Sequence, residues 1–205
     1  GLIKKHPCKG ISIKWDKNTF QKDILSPDEI KQLIATRYKE ENTEVQRAFI
    51  FCLFTGMRWC DVRSLTYANV DPNTKTLRFQ QQKVRDVSSR SWVTTPLTDD
   101  MLALVGEPKT EDRASEPIFR LVNYSNCNIH LKRWIAEAGI KKKITWHCSR
   151  HSFAVNLLSN GANIKTVSDL LGHSSIVITE KYLHVIDSLK QDAIRSLGSI
   201  DYAMP

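Results

Sequence analysis

The chain has 205 residues, 41% hydrophobic and 25% charged, which fits a globular protein of one large or two small domains. No apolar run approaches the roughly 18 residues of a membrane span, and no signal peptide is apparent. Thirty Lys and Arg against twenty-two Asp and Glu leave a charge of +8, whose field suits a polyanionic partner, while five scattered cysteines without CxxC spacing argue for reduced thiols in a cytosolic setting.

Residues 1–20, GLIKKHPCKGISIKWDKNTF, are basic and polar, with Pro7, Gly10 and an alternation of Ile11, Ile13 and Trp15, and read as a linker able to pair as a strand. Ser26, Pro27, Asp28 and Glu29 then spell a capping box with proline at the first helical position, followed by Ile30, Leu33 and Ile34 as an apolar face. A domain is expected to begin at Leu25. Thr43 opens a second helix, whose Val45, Phe49, Ile50, Leu53 and Phe54 wrap widely enough for a central core element ended by Gly56. The next turn, Met57-Arg58-Trp59-Cys60-Asp61-Val62, sets an arginine at a core junction before a short helical segment ending near Leu65. The plainest role for Arg58 is an ion pair with Asp61.

Between residues 70 and 96 the pattern changes to short alternating runs, TLRFQQQ and SWVTTPL, around the polar VRDVSSR. This predicts a β-hairpin or small sheet with Lys83 near its turn. A helix over residues 98–105 follows, then an exposed loop, EPKTEDRASEP, and a helix over residues 125–138 with Leu131, Trp134 and Ile135 inward and Gly139 as its stop.

In the stretch TWHCSRHSFAVNLLSNGANIKTVSDLLGHSSIVITEKYLH, His147, Arg150, His151, Ala154, Leu157 and Leu158 recur at helical intervals and are expected on one face. Asn163 offers a cap for a second helix with Ile164, Val167, Leu170 and Leu171 inward, and Gly172 ends it just before His173. Ser175 offers another cap, yet IVIT has the β-branched content of a strand, so both remain open there. Beyond Tyr182, residues 187–197 read as a terminal amphipathic helix after a short hinge, with Ile186, Leu189, Ile194 and Leu197 apolar.

Arg58 and Arg150 offer planar forks of donors that match two non-bridging phosphate oxygens. Tyr182 is a candidate nucleophile, but at a pKa of about 10 only about one phenol in a thousand is ionised near neutrality, so it needs a base or a positive field. His147 and His173 have the chemistry for proton transfer and a hydrogen bond to phosphate, and Lys83 for protonating a leaving oxygen. Singly, each has a packing explanation. That explanation is kept for His151, which leads into the Ala154 stripe, and for His184 and Lys75; Arg63 and Arg85 read as solvated charges or DNA-backbone contacts. His147 and His151 stand one helical turn apart as metal-binding pairs do. The intervening glutamate of a metalloprotease is missing, and no carboxylate cluster offers a two-metal site.

TGMRWCDVRSL, the hairpin lysine, TWHCSRHSFA, LLGHSSIVIT and EKYLH, in this order, resemble the catalytic domain of the tyrosine recombinases, the phage-integrase family, and especially integrases of conjugative transposons. The resemblance runs from about Leu25 to Leu197. It implies an α+β, mainly helical catalytic fold with a small antiparallel sheet, and DNA strand exchange through a 3′-phosphotyrosyl intermediate without metal or other cofactor. It assigns Arg58 and Arg150 to the phosphate, Tyr182 as nucleophile, His147 as base, Lys83 as acid for the 5′-hydroxyl and His173 as a donor to phosphate, with Asp61 supporting the first arginine. Cys148-Ser149 departs from the acidic-then-apolar pair often found in the family.

The resemblance further implies double-stranded DNA as partner, a homo-tetramer on that DNA, no membrane, and a bacterial cytoplasmic, nucleoid-associated setting. Residues 1–24 become an interdomain connection, 25–186 the catalytic core, and 187–205 a C-terminal helix and tail exchanged between protomers. The rivals are a type IB-like DNA topoisomerase and a DNA-binding module without catalysis.

Overall fold

The structure, a computed structural model, describes residues 23–37, 43–85 and 91–195. The linker and strand expected within residues 1–20, the hairpin tip at 86–90 and the tail beyond residue 195 lie outside them. Local sequence sets the helix ends. In α1 (Pro27–Ala35) the Ser26 hydroxyl accepts from the Glu29 amide and the Glu29 carboxylate accepts from the Ser26 amide, at 3.2 and 2.8 Å. These reciprocal bonds satisfy two donors that a helix start leaves open.

The second helix, α2 (Thr43–Thr55), is the core element its broad apolar wrap predicts, with Val45, Ala48, Phe49, Phe51, Cys52 and Leu53 all buried. Phe49 meets Trp134 of α5 (Tyr124–Glu137) and Trp146 of α6 (Trp146–Ser159) edge-on, at 6.3 and 5.6 Å between ring centroids, the geometry that ring quadrupoles favour. Gly56 ends α2 at φ +66°, and a Cβ there would fall 2.5 Å from Phe153 of α6. Glycine thus supplies both the left-handed turn and the room for α6. The turn leads into α3 (Trp59–Arg63).

The small sheet has three antiparallel strands in the order β1 (Val70–Asp71), β2 (Thr76–Gln80), β3 (Trp92–Pro96), with Leu77 opposite Thr95 and Phe79 opposite Val93. Its period-two alternation buries Leu77, Phe79 and Val93 and leaves Arg78 over the ring of Trp92 on the outer face. A 3₁₀ turn, Gln82–Val84, follows β2 and carries Lys83. Thr98 caps α4 (Asp99–Val105).

The sequence predicts one inward stripe on α6; instead every residue from Cys148 to Val155 is buried. The reason is its place between α2 and α8, which cover it from two sides. Asn163 caps α7 (Ile164–Leu171), and Gly172, at φ +60°, ends it. Ser175 then accepts from the Val177 amide at 3.3 Å as α8 (Val177–Arg195) begins, so IVIT is helical. No hinge separates Tyr182 from a terminal helix: α8 runs unbroken through both. The stretch holds neither Gly nor Pro, so no helix breaker stops it.

Two apolar clusters result. The larger joins α1 to α5, the sheet and the start of α6; the smaller gathers Phe153, Ala154, Val155, Val167, Leu171, Tyr182 and Ile186. The first described residues are tied to the fold: the Asp23 carboxylate accepts from the Lys143 amide at 2.6 Å, Ile24 packs on the smaller cluster, and the Leu25 amide donates to Ser152 of α6 at 2.8 Å. The architecture is the α+β, mainly helical fold with a small antiparallel sheet.

Candidate active site

Arg58 stands at the N-terminal end of α3, two residues past Gly56. One turn on, Asp61 is 1% exposed; its Oδ2 lies 3.9 Å from Arg58 Nη1 and its Oδ1 accepts from the Gln82 amide at 2.9 Å. Burial pushes the Asp61 carboxyl up, against the Gln82 N–H and the charges of Arg58 and Arg150, which favour its ionised form. The expected Arg58–Asp61 pair is present, and Asp61 also fastens the turn that carries Lys83 to the helix that carries Arg58.

Arg150 is 3% exposed, and its guanidinium bridges two helix ends: Nη1 donates to the Gly56 carbonyl at 2.8 Å and Nη2 to the Leu171 carbonyl at 2.7 Å. The Leu171 carbonyl also accepts from Gln81 Nε2 at 2.7 Å. Both carbonyls sit where a glycine has turned the chain into the left-handed region, so the breaks at Gly56 and Gly172 are what aim them at one arginine. Burial first, and then the like charge of Arg58, lowers the Arg150 pKa to about 9. Two guanidinium groups in one neighbourhood, with the one carboxylate of Asp61 near them, form a site that an incoming anion relieves.

His173 follows Gly172 directly, and its Nδ1 is 2.8 Å from the Thr179 hydroxyl in the first turn of α8. Burial, then Arg150, Arg58 and Lys181, lower its pKa to about 3, so the ring is neutral at physiological pH. Tyr182, in the second turn of α8, is 1% exposed. Burial raises its pKa, while Arg150 and Arg58 pull the other way. Arg58, Lys83, His147, Arg150, His173 and Tyr182 line one pocket of about 300 Å³ together with Lys181 and Ser174. Lys83 and His147 are exposed at this pocket, whereas Arg150, His173 and Tyr182 are buried. All six residues singled out from the sequence therefore meet, with Asp61 behind Arg58.

Three participants were not predicted. Gln81 and Thr179 are polar residues in strand-like sequence and carry no local signal. The sequence assigns His151 to packing. It is buried as expected, but its Nδ1 lies 2.9 Å from the Tyr182 hydroxyl and its ring meets His147 edge-on at 4.4 Å between centroids. The signal that finds it is its position one turn beyond His147, next to Arg150. Elsewhere Arg63 lies over the ring of Trp59, which meets Tyr124 edge-on, both at 5.1 Å. Lys75 pairs with Asp99 at 2.6 Å. Arg85 is exposed. The side chain of His184 is outside the described residues. No helix among those residues is long and apolar enough to cross a membrane.

The chain matches the Phage integrase family over residues 23–188. A tyrosine recombinase of Thermosipho africanus (strain TCF52B) is 33% identical over 96% of this chain and 69% of its own length. The integrase of Haemophilus phage HP1 is 25% identical over 93% of this chain and 52% of its own. The chain thus spans between half and about 70% of these relatives. Among solved structures, the catalytic domain of bacteriophage HP1 integrase superposes with a TM-score of 0.63 at 25% identity, over 85% of this chain and 95% of that one. The Tn1549 transposon integrase, in complex with transposon right end DNA, superposes with a TM-score of 0.67 at 18% identity, over 96% of this chain and 73% of that one, which shows the shared fold. By the family match across most of its length, the chain belongs to the phage integrase family of tyrosine recombinases.

Proposed function

We propose that the chain is the catalytic part of a site-specific DNA recombinase that cleaves and rejoins strands through a 3′-phosphotyrosyl intermediate. The observation that carries this reading is the single pocket on which Arg58, Lys83, His147, Arg150, His173 and the Tyr182 phenol converge. Its size suits one phosphodiester. Arg58 and Arg150 bind the non-bridging oxygens and stabilise the charge of a pentacovalent transition state. His173 donates to the same phosphate. Its neutral ring suits that task, because an N–H donor needs no net charge. Tyr182 attacks phosphorus, Lys83 protonates the departing 5′-oxygen, and His147, at the rim, serves proton transfer on the nucleophile's side. Asp61 holds Arg58 and the Lys83 turn in register.

The partner is double-stranded DNA, a reading supported by the Tn1549 integrase structures in complex with DNA, and the working assembly is a homo-tetramer on that DNA in a bacterial, nucleoid-associated cytoplasmic setting. Residues 187–205 supply the contact between protomers; Ile194, 68% exposed on α8, is an apolar residue with room for a neighbour. The test is incubation with a nicked half-site that traps the intermediate. A protein–DNA adduct that survives denaturation, disappears in Tyr182→Phe and ignores chelator is expected. Verified DNA binding without adduct refutes the reading and leaves a binding module, whose affinity would be salt-sensitive. Relaxation of supercoils without synapsis would assign the site to a type IB-like topoisomerase.

A further inference from the structure

The Tyr182 phenol has two sides. One lines the pocket with Arg58 and Arg150; the other meets His151, a residue 1% exposed, with Nδ1 2.9 Å from the hydroxyl oxygen. The tilted rings have centroids 5.5 Å apart. A phenol whose proton points at an imidazole nitrogen behind it leaves an oxygen lone pair toward the phosphate in front. That is the arrangement a buried nucleophile needs, because burial raises the Tyr182 pKa and leaves even less phenolate than the one part in about a thousand of a free phenol near neutrality.

We infer that His151 is a catalytic residue of this site: its Nδ1 accepts the Tyr182 proton as the nucleophile attacks, and returns it when the strand is rejoined. The inference rests on the reading of Tyr182 as nucleophile. In cleavage, the Tyr182 oxygen bonds to phosphorus while its proton passes to Nδ1, making an imidazolium; the bond from phosphorus to the 5′-oxygen breaks, and that oxygen takes a proton from Lys83. Rejoining reverses each transfer. The acceptor form of His151 carries its remaining N–H on Nε2. Titratable groups near the pair include His147 and Arg150 on α6, Lys181 on α8, whose ammonium lies 5.1 Å from the Tyr182 ring centroid, Arg58 at the start of α3, and Lys83 and His173 on the same pocket. Arg150 and Arg58 favour the phenolate, so the proton is drawn away from the pocket side. His147, edge-on to His151 and exposed at the pocket, stands next along the same helix face and serves the proton transfer assigned to it by exchanging the proton held on His151 with the pocket rim.

The test uses the 205-residue chain with the trapping half-site at DNA saturation, and single-turnover adduct formation between pH 5.5 and 9. Asparagine places an oxygen near the position of Nδ1 and keeps a hydrogen-bond acceptor without a base. His151→Asn is expected to bind DNA as wild type does and to slow adduct formation about 100-fold or more. Wild-type rates should level off once the imidazole is neutral, whereas those of the variant should keep rising with pH, as hydroxide takes over. A 5′-bridging sulfur, a leaving group that needs no acid, should restore Lys83→Ala and leave His151→Asn slow. Adduct formation by His151→Asn within threefold of wild type, an unchanged pH profile, or rescue by the sulfur substrate overturns the inference. Should His151→Asn lose its melting transition, His151→Gln is read by the same criteria. Failure of the wild type itself to form an adduct at saturation overturns the nucleophile reading and this inference with it; a wild-type adduct lost in Tyr182→Phe isolates the question to His151.

Discussion

Replacing Gly172 by alanine tests the joint on which His173, Arg150 and the sheet all depend. Gly172 adopts φ +60°, and a Cβ there would lie 2.5 Å from Val93 Cγ2 and 2.6 Å from Gln81 Nε2. A left-handed alanine costs about 1–2 kcal/mol in backbone strain, and driving Gln81 off the buried Leu171 carbonyl costs about 1–3 kcal/mol more. The sum, roughly 2–5 kcal/mol, corresponds at about 2–4 °C per kcal/mol for a chain of this size to a melting temperature lower by roughly 4–20 °C. Gly161 is the control: it too has positive φ, +86°, but its Cβ would meet nothing within 4 Å, so Gly161→Ala should lose only the strain component. Thermal melts of both variants, with adduct formation measured below the transition, check the reasoning. Cleavage should fall in Gly172→Ala, where the Leu171 carbonyl and His173 shift together, and hold in Gly161→Ala. Equal melting temperatures for the two variants would refute the packing argument.

In Asp61→Ala the Gln82 amide and Arg58 lose a shared acceptor, so the fold should lose about 1–3 kcal/mol and adduct formation should slow at least tenfold; the 5′-sulfur substrate should recover part of that loss if the Lys83 turn is what has loosened. Arg150→Lys cannot reach Gly56 and Leu171 with one ammonium as a planar fork does, so it should lose about 1–3 kcal/mol of stability and nearly all cleavage, measured by urea titration and adduct assay. His173 binds its proton more weakly in the fold, with a pKa of about 3, than in an unfolded chain at about 6.5. Its contribution is therefore full above pH 6.5 and lost as pH falls toward 3, by up to about 1.4 kcal/mol per unit. Urea midpoints between pH 7 and 5 should fall less in His173→Gln than in wild type, and parallel curves would refute the assignment.

The elements that their own residues terminate were legible in the sequence. Ser26 and Glu29 close a capping box between neighbours, Asn163 caps α7, and the glycines at 56 and 172 end helices in the one conformation they adopt cheaply. The six pocket residues were legible for a different reason: their types match phosphoryl chemistry and their order matches a family, although residues from Arg58 to Tyr182 must come together across most of the chain. What escaped depended on neighbours distant in sequence. The stripe expected on α6 failed because α2 and α8 enclose the helix together, and no local period records an enclosure that tertiary packing creates. The hinge expected after Tyr182 is absent, and Thr179, Lys181, Tyr182 and Ile186 lie on one uninterrupted helix. Continuity has a mechanical consequence. Since Tyr182 and Ile194 are on the same rigid element, a force on the exposed end of α8 acts along the axis that sets the phenol between His151 and the arginines. Deleting residues 188–205 should therefore change the rate of adduct formation as well as assembly, and an assembly defect with an unaltered single-turnover rate would show that the helix transmits nothing to the nucleophile.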